Sequence, residues 1–400
     1  MKDFDKKARA YALKNATAYN GKANQGAVIS ALFNEGLKKA DMKKYGKRIS
    51  EIVGEVNDLS LEEQKEEFEK TKKNVHERKV REGLPELPKA KKGKVVMRFA
   101  PSASGPFHVG HALTASISFD YVMKYGGIFY VRIEDTNPEN IYEPAYKMIA
   151  NESKWLFDGK AKIVIQSARM KLYYDYVEKL IRKKAVYVCT CENEKFKEFV
   201  SEKKNCPCRK LDVKENLERW KKMLSRDGFK EGEAVLRFKS SMKDKNPAMR
   251  DFPLARVNLT KHPKTGNKYR VWPLMNLAVA VDDIEMKMTH IIRAKEHRDN
   301  EKRQRMIYKA LGKEKMFPWT GFLGRWKFKD MELSSTKFTA GIKEGKYSGW
   351  DDPKLPTIAS LKKRGYKPEA FWKFAEHVGL SDNDKVIEKK EFFRLLDSFK

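Results

Sequence analysis

The chain has 400 residues, 40% of them hydrophobic, enough to bury a core and to divide into roughly two to four domains. Lys and Arg exceed Asp and Glu to give a formal charge of +30, a balance that points to a polyanionic partner such as nucleic acid. No run of eighteen apolar residues is present to span a membrane, MKDFDKKARAYALKNA holds no apolar signal core, and four cysteines are too few for a secreted disulfide scaffold; a cytoplasmic protein is expected.

Residues 7–82 read as helices. One segment stops at Gly21, and the next carries Val28, Ile29, Leu32 and Phe33 at helical spacing. Ser60 followed by Glu63 fits a capping box at the start of a charged helix expected over 61–82. The stretch GLPELPKAKKGK (83–94) holds two prolines and two glycines and reads as a linker.

Beyond it the pattern changes. Val95–Ala100 reads as a buried strand, His108–Tyr125 as a helix ended by Gly126-Gly127, and Ile128–Ile133 as a second strand: the βαβ unit of a parallel sheet. The loop between the first strand and the helix, in RFAPSASGPFHVGH (98–111), is a candidate phosphate site. Amides at a helix N-terminus attract anions, and His108 and His111, three apart, add donors on one helix face. This implies nucleotide chemistry without the glycine–lysine signature of a P-loop, which the chain lacks. Glu134 and Asp135 follow the second strand, where side chains face a ligand crevice.

Helical spacing resumes over 168–184, and 185–290 mixes short strands, turns and basic helices, as an insertion in the sheet domain would. All four cysteines fall there, in Cys189-Thr-Cys191 and Cys206-Pro-Cys208. Two such pairs at loop distance can place four thiolates around one Zn²⁺, and a set of four protein ligands makes the ion structural. From about 357 the chain reads as helical and basic, with Lys362, Lys363, Arg364 and Lys367 available for phosphate contacts.

Five segments together resemble the glutamyl/glutaminyl group of class I aminoacyl-tRNA synthetases. His108-Val109-Gly110-His111 resembles their "HIGH" signature, Ile133–Pro138 the "IEDTDP" element, and Glu332–Lys337 a degenerate "KMSKS" loop. Gly349–Thr357 resembles "GWDDPRLPT", and residues 8–33 the N-terminal helical extension of archaeal-type glutamyl-tRNA synthetases.

The resemblance implies a Rossmann-type parallel-sheet α/β catalytic domain carrying a zinc-knuckle insertion, with helical domains at both ends. The expected organisation is 1–90 N-terminal extension, 91–185 and 286–345 the two catalytic halves, 186–285 the acceptor-stem-binding insertion, and 346–400 a helical tRNA inner-corner domain. The implied function is ATP- and Mg²⁺-dependent activation of L-glutamate and its transfer to the 3′ end of tRNA(Glu), with tRNA(Gln) left open.

By the same resemblance His108, Gly110, His111, Glu296, Ser334, Ser335 and Lys337 bind ATP, with His108, His111 and Lys337 catalytic. Arg98, Ser102, Glu134, Met275, Asn276 and Arg293 bind glutamate: the arginines take carboxylates, Glu134 and Ser102 the ammonium. Glutaminyl enzymes usually carry an uncharged residue where Arg293 stands, so its presence favours glutamate.

The chain departs from the family pattern at Met275, where Tyr is common, at Ser335 in place of a lysine, at Asn137 in place of Asp, and at Lys354 in place of Arg. It also ends where family members continue into anticodon-reading β-barrels, an expectation that leaves room for a separate anticodon-binding polypeptide. The alternatives are a catalytically weak tRNA-binding paralogue or subunit, and an enzyme that places glutamate elsewhere on tRNA.

Overall fold

The computed structural model describes residues 3–76 and 83–400, which fall into two compact units, Met1–Arg81 and Glu82–Lys400. The first is all helical: α1 (Phe4–Ala18), α2 (Gln25–Asn34), α3 (Met42–Asn57) and α4 (Leu61–Thr71). Ala8, Leu13, Val28, Leu32, Ile49 and Ile52 form its core. The expected capping box is present: Ser60 Oγ accepts from Glu63 N at 3.3 Å, and Glu63 Oε2 accepts from Ser60 N at 2.8 Å. The helix it starts ends at Thr71 in place of 82, and residues 77–82 of that expectation lie outside the described residues.

The second unit begins as the sequence predicts. Strand β1 (Val95–Phe99), helix α5 (Val109–Tyr125) and strand β2 (Gly127–Ile133) form a parallel βαβ unit. It continues through α6 (Ala145–Leu156) to a third parallel strand, β3 (Ala161–Ile165). Gly127 makes the tight entry to β2 possible: its φ is +151°, and a Cβ there would lie 1.9 Å from Val95 O.

Helix α7 (Met170–Arg182) leads to an antiparallel sheet of β4 (Val186–Cys189), β5 (Val235–Phe238), β6 (Pro253–Val257) and β7 (Val271–Pro273). Helices α8 (Asn193–Ser201) and α9 (Val213–Leu224) lie between β4 and β5 in the chain. Helix α10 (Met275–Glu285) returns to parallel strands β8 (His290–Ala294) and β9 (Trp319–Leu323), separated by α11 (Arg298–Ala310). Thr289 N donates to Val96 O at 3.0 Å, so β8 starts beside β1. The chain leaves these two neighbours on opposite sides of the strand order, which opens a crevice at their carboxyl ends. Arg98 lies near the end of β1 and Arg293 near the end of β8.

The remaining elements are β10 (Trp326–Phe328), α12 (Ser335–Lys343), α13 (Ile358–Lys363), α14 (Pro368–Val378), β11 (Lys385–Ile387) and α15 (Lys389–Asp397). Two expectations need adjusting here. The C-terminal stretch is not purely helical, because β11 pairs in parallel with β10. Nor does packing separate residues 346–400 from the catalytic half: Ile358, Leu361, Phe371 and Phe374 share one core with Val95, Phe107 and Phe129. The insertion likewise shares its core with α7, α10 and α11 through Tyr173, Leu277 and Ile307.

Candidate active site

Between the carboxyl ends of β1 and β8 and the start of α5 lies a cavity of about 480 Å³. Its lining includes Arg98, Ser102, His108, Gly110, His111, Glu134, Met275, Arg293 and Glu296. Nine of the residues singled out from sequence are thus brought together.

The cation arrangement is the cavity's most distinctive feature. Arg98 is 6% exposed, and its Nε and Nη2 meet the two carboxylate oxygens of Asp283 at 3.3 and 3.4 Å. Fully buried Arg132 donates to the same carboxylate at 2.6 Å. Arg293 is 7% exposed and has no carboxylate in ion-pair range among the described residues. Its Nη1 donates to the neutral Gln304 Oε1 at 2.9 Å, while Nε and Nη2 are buried without partners. Burial, with Arg98 nearby, pulls its pKa down to about 10, still well above neutrality. A buried cation with two unpartnered nitrogens is costly until an anion arrives. A carboxylate matches that fork in charge and shape.

Glu134 is the negative group at this end of the cavity. Burial raises its carboxyl above the ordinary value, opposed by Arg132 and Arg98. A bridge between Ser102 and Glu134, with Glu134 N donating to Pro101 O at 2.8 Å, holds the two side by side. Asp135, expected to face the crevice as well, does not. It is 1% exposed and accepts from Tyr146, Ser167 N and Ser167 Oγ, with His262 of the insertion against it. Strand alternation sends consecutive side chains to opposite faces, so only one of the pair reaches the ligand side.

The helix N-terminus also differs from expectation. His108 is the N-cap of α5, and its Nδ1 accepts from the amides of Gly110 and His111 at 3.1 and 3.3 Å. Val109 N donates to Pro356 O, and Ala112 N to His108 O. No first-turn amide is left for an anion. What reaches the cavity is the imidazole edge, since an accepting Nδ1 puts the proton on Nε2. The rings of His108 and His111 stack with centroids 3.6 Å apart. Burial lowers both pKa values, His111 to about 4, so both are neutral at pH 7 and each offers one N–H. A Cβ at Gly110 would come within 3.1 Å of Leu333 and 3.2 Å of the His108 ring, so a larger residue would crowd this wall.

Three expected nucleotide contacts lie elsewhere. Ser334 caps α12, its Oγ accepting from Lys337 N at 3.4 Å, and Ser335 packs beside Gly105. Lys337 faces a second hollow of about 580 Å³, also lined by Lys346, Lys354 and Lys389, and pairs with Glu332 at 2.6 Å. Asn276 is not part of the lining either; its Oδ1 accepts from Gln304 Nε2 at 3.3 Å, behind Arg293. Glu296 lines the cavity but accepts from Arg325 Nε at 2.7 Å.

Asp283, Arg132 and Gln304 were missed from sequence. A signal existed for the first: Asp282-Asp283 interrupts the apolar run of α10, and buried carboxylates need cationic or hydrogen-bonding partners.

Away from the cavity, the four cysteine sulfurs lie within 4.8 Å of one another. Cys189 and Cys206 are 3.9 Å apart and Cys191 and Cys208 3.8 Å. Four sulfurs bound at about 2.3 Å around one tetrahedral ion stand about 3.8 Å apart, so the set fits Zn²⁺.

Residues 94–397 match the family described as tRNA synthetases class I (E and Q), catalytic domain. A glutamate–tRNA ligase of Methanobrevibacter smithii is 42% identical over 402 residues, spanning 100% of this chain and 71% of the relative. That of Thermococcus kodakarensis is 45% identical, spanning 97% of this chain and 69% of the relative. The crystal structure of a glutamate-tRNA synthetase from Elizabethkingia anophelis shares the fold, with a TM-score of 0.53 and 21% identity over 76% of this chain and 70% of that one. With a catalytic-domain match over most of its length and whole-chain likeness to archaeal relatives, the chain belongs to the class I aminoacyl-tRNA synthetases of the E and Q group.

Proposed function

We propose that the chain is a glutamate–tRNA ligase, and that the cavity between β1 and β8 is where it activates the amino acid. The observation that carries this reading is Arg293, a buried guanidinium with two nitrogens unpaired and no carboxylate partner among the described residues. Such a group selects an anionic substrate. Arg98 and Arg293 take the two carboxylates, and Glu134 with Ser102 the ammonium.

ATP enters as its Mg²⁺ complex on the side of His108, Gly110, His111 and Glu296. A glutamate carboxylate oxygen attacks the α-phosphorus and pyrophosphate leaves. The terminal ribose hydroxyl of tRNA then attacks the carbonyl carbon, forming the ester and releasing AMP and a proton. No protein nucleophile is needed; the residues align the reactants and offset phosphate charge. His108 Nε2–H donates to a phosphoryl oxygen. The second hollow brings Lys337 to the leaving pyrophosphate when the 332–337 loop moves toward the first cavity. The formal charge of +30 suits a tRNA partner. Lys362, Arg364 and Lys367 extend that contact, whereas Lys363 is held by Asp351 at 3.1 Å.

Cys189, Cys191, Cys206 and Cys208 are the residues that would hold a Zn²⁺, and an ion with four protein ligands would be structural, tying β4 to the segment before α9. Exchange of labelled pyrophosphate into ATP, with glutamate and with or without total tRNA, tests the main reading. Exchange that requires glutamate and tRNA is expected. No exchange with any tRNA would favour a catalytically weak RNA-binding paralogue, which Met275, 38% exposed in the cavity wall, otherwise makes the second reading. Charging total tRNA with labelled glutamate then identifies whether tRNA(Gln) is an acceptor.

A further inference from the structure

Among the described residues Arg293 is hydrogen-bonded by Gln304, and the choice of that residue has a consequence for selectivity. Gln304, 2% exposed on α11, accepts from Arg293 Nη1 at 2.9 Å. Its other end is fixed: Nε2 donates to Asn276 Oδ1 at 3.3 Å, and Asn276 Nδ2 donates to Asn300 Oδ1 at 3.3 Å. The amide therefore cannot turn away from the guanidinium without breaking a buried chain of hydrogen bonds. The other arginines of the crevice are treated differently. Arg98 and Arg132 both pair with Asp283, and Arg169 with Asp282 at 2.7 Å. Each of these three guanidiniums is matched by a carboxylate of α10, whereas Arg293 is anchored by a neutral group.

We propose that Gln304 is a specificity-determining residue, orienting Arg293 through one N–H while leaving its charge uncompensated, so that the site favours a substrate carboxylate over a carboxamide. This rests on the glutamate reading above and deepens it. An amide at 304 gives the geometry of a salt bridge without the neutralisation. A carboxylate of the same shape would give both, and the remaining N–H groups of Arg293 would then face a substrate whose side chain no longer needs to be charged. Met275 and Glu134, which also line the cavity, are unaltered by that exchange.

The test uses the full chain with tRNA and compares glutamate with glutamine in aminoacylation, measuring kcat and KM for each. In Gln304→Glu the glutamate KM rises and the glutamate-over-glutamine ratio of kcat/KM falls about tenfold or more, with the ATP KM unchanged. Gln304→Met keeps the volume and the charge of Arg293 but removes the acceptor. Its kcat/KM falls for both substrates together, and the selectivity ratio stays within about threefold of the parent. A structural role alone would move both variants alike and leave the ratio untouched in each. Unaltered selectivity in a folded Gln304→Glu chain overturns the proposal, as does lost selectivity in Gln304→Met, which decides the matter alone if the glutamate variant does not fold. A parent chain that charges no tRNA with glutamate would instead overturn the reading on which this rests.

Discussion

The arginine crevice and the cysteine knuckle pose the same physical problem and differ in how permanent its solution is. Each gathers groups that the protein by itself leaves unsatisfied. In the crevice the unmet group is a guanidinium that keeps two nitrogens without partners. In the knuckle it is four sulfurs within 4.8 Å, three of them buried, with few donors around them besides Arg219 at 3.5 Å from Cys208. The crevice opens into a 480 Å³ cavity, so its counter-charge can come and go. The knuckle is mostly buried, and an ion bound there would be part of the folded structure. Polar groups left incomplete beside open space suit a ligand that comes and goes, and those gathered in a mostly buried cluster suit an ion that stays.

The largest effect is expected at the proposed zinc site. Cys208→Ser takes away one of four ligands, and loss of a structural metal belongs to the class of changes that cost about 4 kcal/mol or more. Metal analysis is expected to fall from one zinc per chain to none, and thermal melting to show the 186–273 sheet unfolding early. A metal-free parent that melts in a single sharp step would mean that the four cysteines hold no structural ion.

Next in size is the crevice. Arg293→Ala deletes the unpaired cation, and loss of one partner of a buried charge pair costs about 2–5 kcal/mol in binding. The glutamate KM is expected to rise by about 30-fold or more, with melting unchanged or slightly higher because a buried unpaired charge has gone. That split between binding and stability is what a ligand-dependent cation predicts. A variant that loses stability and keeps its glutamate KM would place Arg293 among the structural arginines with Arg132.

These two regions were legible in the sequence to different depths. The cysteines were complete as a motif, because all four ligands lie within one short segment. The strand–loop–helix around His108 was legible for the same reason, its hydrophobic period changing at Gly126-Gly127. The carboxylate partners were not, since Asp283 reaches Arg98 across 185 residues of chain and Gln304 was one polar residue in a charged helix. Lys337 was singled out by motif alone, and its pairing with Glu332 at the second hollow is a local contact that the motif does not reveal. The pairing of β11 with β10 was hidden because two three-residue strands carry too little pattern to stand out among helices.

The smallest expected effect concerns a third way of satisfying buried polar groups, in which the protein supplies the partner itself. His108 closes the N-terminus of α5 with its own Nδ1, and removing an N-cap costs about 1 kcal/mol. His108→Asn keeps an acceptor for the Gly110 and His111 amides but loses the Nε2–H that reaches the cavity. Stability is expected to stay within about 1 kcal/mol of the parent while the pyrophosphate-exchange rate falls. Acidity probes the same stacked pair.

Burial lowers the His111 pKa to about 4, below the roughly 6.5 of an unfolded histidine, so the unfolded chain binds the proton first. Stability from this group is therefore complete above about pH 6.5 and declines as pH falls toward 4, at no more than about 1.4 kcal/mol per pH unit. Replacing His111 with Gln should flatten that part of the melting-temperature profile between pH 6.5 and 4.5. A profile equally steep in parent and variant would mean that the ring is free to protonate in the folded state, and that the stacked histidines are not held neutral by their surroundings.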